Sequence, residues 1–212
     1  MGERKKLNGY YNYTVVLTYM GMLIGLLGIA FAMDDKFQQA MVCLMGAGFC
    51  DMFDGAVAAT RERTDSEKRF GIQIDSLSDL ICFGVLPALL TYCLCGKTFP
   101  AMMAAGLYAL CALIRLAYFN VMEEERQERE SGRRTSYQGL PVTTAAVGLP
   151  LFYILAGFLS KGVHGVLETA LTVMAVAFVL PFPVRKPHTT GKLMLMVVGV
   201  AEFVLLLLGL GL

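Results

Sequence analysis

Four aspartates stand at the mouths of two membrane-length apolar segments. Asp51 and Asp54 close one segment, in Asp-Met-Phe-Asp-Gly, and Asp75 and Asp79 open the next, in Asp-Ser-Leu-Ser-Asp. Spacings of three and four residues put each pair on one face of a helix, with side chains about 5–6 Å apart. A charged side chain inside a transmembrane helix costs roughly 2.5–3.5 kcal/mol, so four together call for a compensating partner. Divalent cations supply one, because hard ions take oxygen ligands. Two such pairs on adjacent antiparallel helices surround one point with carboxylate oxygens. Two ions about 3.5–4 Å apart there would suit in-line phosphoryl transfer. Gly55, Ala56, Ala58, Ala59 and Gly71 flank the acids and leave room for a ligand near the backbone. The bland alternatives are tight helix packing for the small residues and interfacial caps for the acids. Caps account for one or two aspartates, not for four in two face-matched pairs.

The elements that position the acids follow from composition. The chain has 212 residues, 56% hydrophobic, with mean hydropathy +0.60 and no Trp. A span takes about 20 apolar residues. Candidate spans run near 13–33, 37–59, 72–95, 98–121, 140–160, 163–182 and 192–212, which predicts one polytopic, all-α membrane domain over residues 1–212. The first run is too long for a cleavable signal peptide and lacks an Ala-x-Ala-like end. With the amino terminus inside, the inner segments hold Arg4, Lys5 and Lys6, then Arg61, Arg63, Lys68 and Arg69. Further on they hold Arg126, Arg129, Arg133 and Arg134, then Arg185, Lys186 and Lys192. These fourteen stand against Lys36, Lys97 and Lys161 on the other side. The asymmetry predicts a cytoplasmic amino terminus, an outer carboxyl terminus and acids on the cytoplasmic side.

The net charge of +1 says nothing about partners, and no nucleic-acid partner is expected. Cys43, Cys50, Cys82, Cys93, Cys95 and Cys111 read as reduced core residues in or beside spans. His164 and His188 fall in opposite loops, so a shared metal is not expected. Arg115, near the inner end of the fourth span, needs an anionic partner. Either it contacts a substrate phosphate or carboxylate, or it makes a structural ion pair. Glu168 and Glu202 have no evident place in the site. In the 122–139 loop, Glu125–Arg129 and Glu130–Arg134 are spaced as helical ion pairs, so the fourth helix would project into water. Alternatively, Arg133 and Arg134 sit at headgroup level and hold anionic lipid. Gly21 and Gly25 permit close helix contact, within the chain or between copies.

The stretch 51–79 resembles the signature of the CDP-alcohol phosphatidyltransferase family, Asp-x-x-Asp-Gly-x-x-Ala-Arg followed by Gly-x-x-x-Asp-x-x-x-Asp. Asp51, Asp54, Gly55, Ala58, Gly71, Asp75 and Asp79 match it. Ala59 stands where the family has Arg, and the spacing to Gly71 is three residues longer than the commonest form. Arg61 or Arg63 is the candidate replacement cation. The run Phe83-Gly-Val-Leu-Pro-Ala88 resembles the phosphatidylserine synthase branch, as do Ile114–Asn120 and Gly139-Leu-Pro141 with Ala145 and Ala146. The family's usual Pro-Asn at the first span is absent, although Thr18 and Gly25 fit that helix.

The resemblance implies a six-helix family core plus a seventh carboxyl-terminal transmembrane helix. It implies transfer of a phosphatidyl group from CDP-diacylglycerol to L-serine, giving phosphatidylserine and CMP, with two Mg²⁺ or Mn²⁺ ions. Asp51, Asp54, Asp75 and Asp79 would be metal ligands. Asp79 would also accept the serine hydroxyl proton. Gly55, Ala58, Gly71, Arg61, Arg63, Arg115, Arg133 and Arg134 would line the substrate. A homodimer in a bacterial-type cytoplasmic membrane, in contact with its lipids, is expected. Two alternatives stay open. One is a sister enzyme using glycerol 3-phosphate, inositol phosphate or choline. The other is a cation-coupled carrier, disfavoured by the absence of internal repeats.

Overall fold

The computed structural model describes residues 9–129, 136–158, 163–185 and 189–209. Helix α1 (Val16–Met33) follows a 3₁₀ turn, Tyr13–Val15, and is followed by α2 (Phe37–Ala58). Next comes a continuous rod of α3 (Asp65–Asp79), a π-helical turn (Leu80–Val85) and α4 (Leu86–Leu94). Then come α5 (Phe99–Arg129), α6 (Ala145–Phe158), α7 (Val163–Val179) and α8 (Thr189–Leu207). The fold is an all-α membrane fold with one addition. A short ribbon pairs β1 (Ser136–Gln138) antiparallel with β2 (Pro183–Arg185), Ser136 opposite Arg185.

Among the described residues, four helical rods are long and apolar enough to cross a bilayer: Tyr13–Met33, Phe37–Ala58, Asp65–Leu94 and Phe99–Glu125. The other three expected spans are shorter apolar helices, Val142–Gly157, His164–Val179 and Met194–Leu207. Leu23, Phe49, Phe99, Met194 and Leu207 are exposed, as lipid-facing side chains are. The ribbon is absent from the hydropathy pattern, because three-residue strands leave no periodic signal.

The second aspartate helix starts at Asp65, seven residues before the apolar run at 72. A capping box explains the difference. Thr64 Oγ1 accepts from Glu67 N–H at 3.3 Å, and Glu67 Oε2 accepts from Thr64 N–H at 2.9 Å. Hydropathy marks where a helix enters lipid, whereas the cap marks where it begins. The fourth long helix likewise runs on to Arg129, past the apolar limit at 121.

A small-residue stripe on α1 draws the acid-bearing helices together. A Cβ on Gly25 would lie 2.6 Å from Cys82 Sγ, and one on Gly28 would lie 2.9 Å from both Cys43 Cβ and Leu86 Cδ2. Gly21 faces Cys50 Cβ, at 3.3 Å from its own missing Cβ. The Gly21–Gly25 spacing therefore serves packing within the chain. All six cysteines are free and buried. The core centres on Tyr108, Tyr153, Phe83, Phe178, Leu44 and Leu86, each almost fully buried.

Candidate metal and substrate site

The carboxyl-terminal residues of α2 meet those of α3 beside α1. One carboxylate oxygen each from Asp51, Asp54 and Asp75 falls within 4.8 Å of the others. Asp79 lines the same pocket one helical turn deeper along α3 but stands outside this close triad. The remaining wall is Leu17, Thr18, Gly21, Ala47, Ser78, Cys82 and Phe83. All four aspartates are only partly exposed. The donor set fits a hard divalent cation: all oxygen, several carboxylates, and drawn from two rigid helices.

Thr18 knits the three helices at this point. Its Oγ1 donates to Asp54 Oδ2 at 3.4 Å, and its backbone carbonyl accepts from Ser78 Oγ at 3.3 Å. The hydroxyl helps to orient the Asp54 carboxylate. On its far side, α3 is fixed to α5: Ser76 Oγ donates to Asn120 Oδ1 at 2.6 Å, and Gln73 Nε2 donates to Glu124 Oε1 at 3.3 Å. Ser76 and Asp75 are neighbours, so this bond helps set the rotation of the acid face. Motif reading matched Asn120 and Thr18 but assigned no contact to either. The stripe Thr18, Gly21, Gly25, Gly28 on α1, spaced by three and four, was the available signal.

The remaining sequence-predicted residues divide into near and far. Gly55 is exposed, and nothing approaches its missing Cβ within 4 Å, so α2 offers bare backbone beside Asp54. Ala58 is half-buried one turn further on. Gly71 shares the face of Asp75 and Asp79, and Arg63 Nη1 lies 3.2 Å from where its Cβ would be. Arg61 instead pairs with Glu67 at 3.5 Å. Glu67 is a hub, since its Oε1 also accepts from Asn12 Nδ2 at 3.2 Å. Tyr13 and Thr60 hydroxyls lie 3.1 Å apart, and the Tyr10 and Phe70 rings meet edge to face at 5.4 Å. The segment before α1 thereby straps the loop that joins the two aspartate helices.

Arg115 is buried and is not part of the pocket wall. Its Nε donates to Leu140 O at 3.3 Å and its Nη2 to Gly139 O at 3.5 Å. Gly139, at φ +76°, also receives support through its own N–H, which donates to Phe182 O at 2.7 Å. The guanidinium thus holds the entry to α6. Arg133 and Arg134 lie outside the described residues, as does the Glu130–Arg134 pair.

Comparison with known proteins matches the sequence to a family. Residues 11–181 match the CDP-alcohol phosphatidyltransferase family model. Archaetidylserine synthase of Methanothermobacter thermautotrophicus is 31% identical over 192 residues, 90% of this chain and 76% of that protein. CDP-diacylglycerol–serine O-phosphatidyltransferase of Helicobacter pylori is 30% identical over 151 residues, 70% of this chain and 60% of that protein. The enzyme of the same name from Mycobacterium tuberculosis is 31% identical over 134 residues, 63% of this chain and 46% of that protein. The chain therefore spans about half to three quarters of these relatives, and it belongs to the CDP-alcohol phosphatidyltransferase family.

Proposed function

We propose that this chain transfers the phosphatidyl group of CDP-diacylglycerol to the hydroxyl of L-serine, releasing CMP. The observation that carries this reading is the convergence of Asp51, Asp54 and Asp75 beside Asp79 at the end of two apolar helices. The names of the serine-using relatives support the acceptor.

In this reading Asp51, Asp54 and Asp75 hold divalent cations, Mg²⁺ or Mn²⁺, two of them being the expected number. Bound there, such ions neutralise charge on the pyrophosphate and on departing CMP. Asp79 accepts the serine hydroxyl proton, a task that requires hydrogen-bond reach of that hydroxyl. The serine oxygen attacks the phosphorus that carries the diacylglycerol. A new P–O bond forms there, the P–O bond to the CMP phosphate breaks, and the proton stays on Asp79. One displacement inverts the phosphorus. Gly55 lets a nucleotide approach the α2 backbone, and Arg63 is the loop cation on the Gly71 face. Arg115 acts through the Gly139–Leu140 backbone that it holds. Arg133 and Arg134 would contact anionic headgroups. Basic residues favour an inner amino terminus and a cytoplasmic site. A homodimer in a cytoplasmic membrane is part of the proposal.

One observation favours a second reading of the lipid. One relative, aligned over 90% of this chain, is named archaetidylserine synthase, which keeps serine and changes the lipid. The test is CMP release by the purified chain in detergent, with CDP-diacylglycerol or its archaeol counterpart as donor. L-serine, glycerol 3-phosphate, inositol phosphate and choline are compared as acceptors, with and without chelator. Serine-dependent release that chelator stops is expected. Release with another alcohol and not with serine would sink the acceptor assignment.

A further inference from the structure

Asp79 is followed at once by a turn of different pitch. Leu80–Val85 is π-helical, and Leu86 N–H donates to Ile81 O, five residues back. The extra residue rotates the helix beyond it by roughly 100° relative to an unbroken α-helix. Cys82 and Phe83 of this turn share the pocket wall with Ser78 and Asp79. The geometry of the turn therefore sets how Asp79 enters the pocket.

A residue of another helix closes the turn. Tyr108 of α5, fully buried, donates its hydroxyl to Phe83 O at 2.7 Å. That carbonyl has no α-helical donor, because the residue four positions on is Pro87, which lacks an N–H. The Tyr108 ring is pinned by Phe178 of α7, with centroids 5.2 Å apart. One turn along α5, Ala112 Cβ lies 3.3 Å from where Gly84 would carry a Cβ.

We propose that Tyr108 is a positioning residue for the transfer reaction. Its hydroxyl holds the π turn that aims Asp79 into the pocket. The proposal rests on the reading of Asp79 as proton acceptor. Without the hydroxyl, the Phe83 carbonyl is buried without that donor and the turn relaxes. Asp79 then shifts, while Asp51, Asp54 and Gly55 on α2 stay in place. Turnover falls and donor binding does not.

The test compares the full chain in detergent with Tyr108→Phe and with Tyr108→Phe/Pro87→Ala. The second change offers Phe83 O a backbone N–H. Hydrogen exchange at amides 84–86 and kinetics of CMP release are both read. Tyr108→Phe is expected to speed exchange and lower kcat by about tenfold each, with KM for both substrates within about twofold. Pro87→Ala should restore most of both. A pure packing role for Tyr108 would give no such restoration. Unchanged exchange in Tyr108→Phe overturns the proposal whatever the activity, and so does faster exchange with unchanged kcat. If Tyr108→Phe fails to fold but the double variant folds and works, the proposal stands; if both fail to fold, it falls. A folded wild type with no CMP release sinks the transfer reading and the positioning role with it, leaving the exchange result to stand alone.

Discussion

Thr18 Oγ1 donates to Asp54 Oδ2 at 3.4 Å across the α1–α2 contact, while the Thr18 carbonyl receives Ser78 Oγ from α3 at 3.3 Å. One residue thus couples the orientation of an acid on α2 to the placement of the helix that carries the other two. Groups that orient metal-ligating carboxylates typically govern metal affinity by 10–100-fold. Thr18→Val should raise the Mg²⁺ or Mn²⁺ concentration needed for half-maximal CMP release by about tenfold, with Thr18→Ser close to wild type. A metal titration of the three proteins checks this, and equal curves would remove Thr18 from the site.

Asp79 and Asp54 occupy the same pocket with different expected tasks. Asp79→Asn keeps the shape and removes the proposed proton acceptor, which general-base catalysis values at about 10²–10⁴-fold. CMP release should fall by at least about 100-fold with CDP-diacylglycerol binding retained. Asp54→Asn should weaken metal dependence as well as rate. Chelator should abolish wild-type release and excess Mg²⁺ or Mn²⁺ restore it. Persistence of activity after exhaustive chelation would contradict the metal assignment.

Glu67 ties Arg61, Asn12 and the Thr64 cap together. The Arg61 pair is half-exposed and screened by solvent, so it contributes little. The cap contributes about 1 kcal/mol. Glu67→Ala should therefore loosen the start of α3 and free the strap before α1. Its signature is a severalfold higher KM for the nucleotide lipid with kcat held, measured at constant serine. A fall in kcat alone would place Glu67 elsewhere in the reaction.

Arg115 donates to the carbonyls of Leu140 and Gly139. Hydrogen bonds from charged donors are worth about 1.5–3 kcal/mol each. Arg115→Met should lower the melting temperature clearly and affect KM for both substrates in step with folding loss. A stable protein with a selective rise in KM for either substrate would instead favour direct substrate contact.

Glu202 of α8 is 3% exposed, and neither carboxylate oxygen has a hydrogen-bond partner among the described residues. A buried polar group left unpaired costs about 1–3 kcal/mol. Glu202→Met should raise the melting temperature in detergent without changing CMP release. A lower melting temperature would show that the carboxylate has a partner in the folded membrane protein.

The acids, their pairing and the membrane setting were legible in the sequence, because each depends on local spacing. Asp51/Asp54 and Asp75/Asp79 share helix faces by periodicity alone, and 20-residue apolar runs announce spans without reference to the fold. The cap at Thr64 was equally local, yet hydropathy hid it. What tertiary structure decided was every relationship across helices. Arg61 and Arg63 are two residues apart with equal charge, yet one pairs with Glu67 and the other lies over Gly71. The turn between α2 and α3 makes that choice, and no spacing rule contains it. Arg115 was legible as a buried charge needing a partner, but its use of backbone carbonyls depends on how the chain returns at Gly139. Thr18, Asn120 and Tyr108 act through partners 36, 44 and 25 residues away in the chain. Side-chain chemistry and local period set what each helix carries. Close packing of small residues along α1 sets which atoms meet.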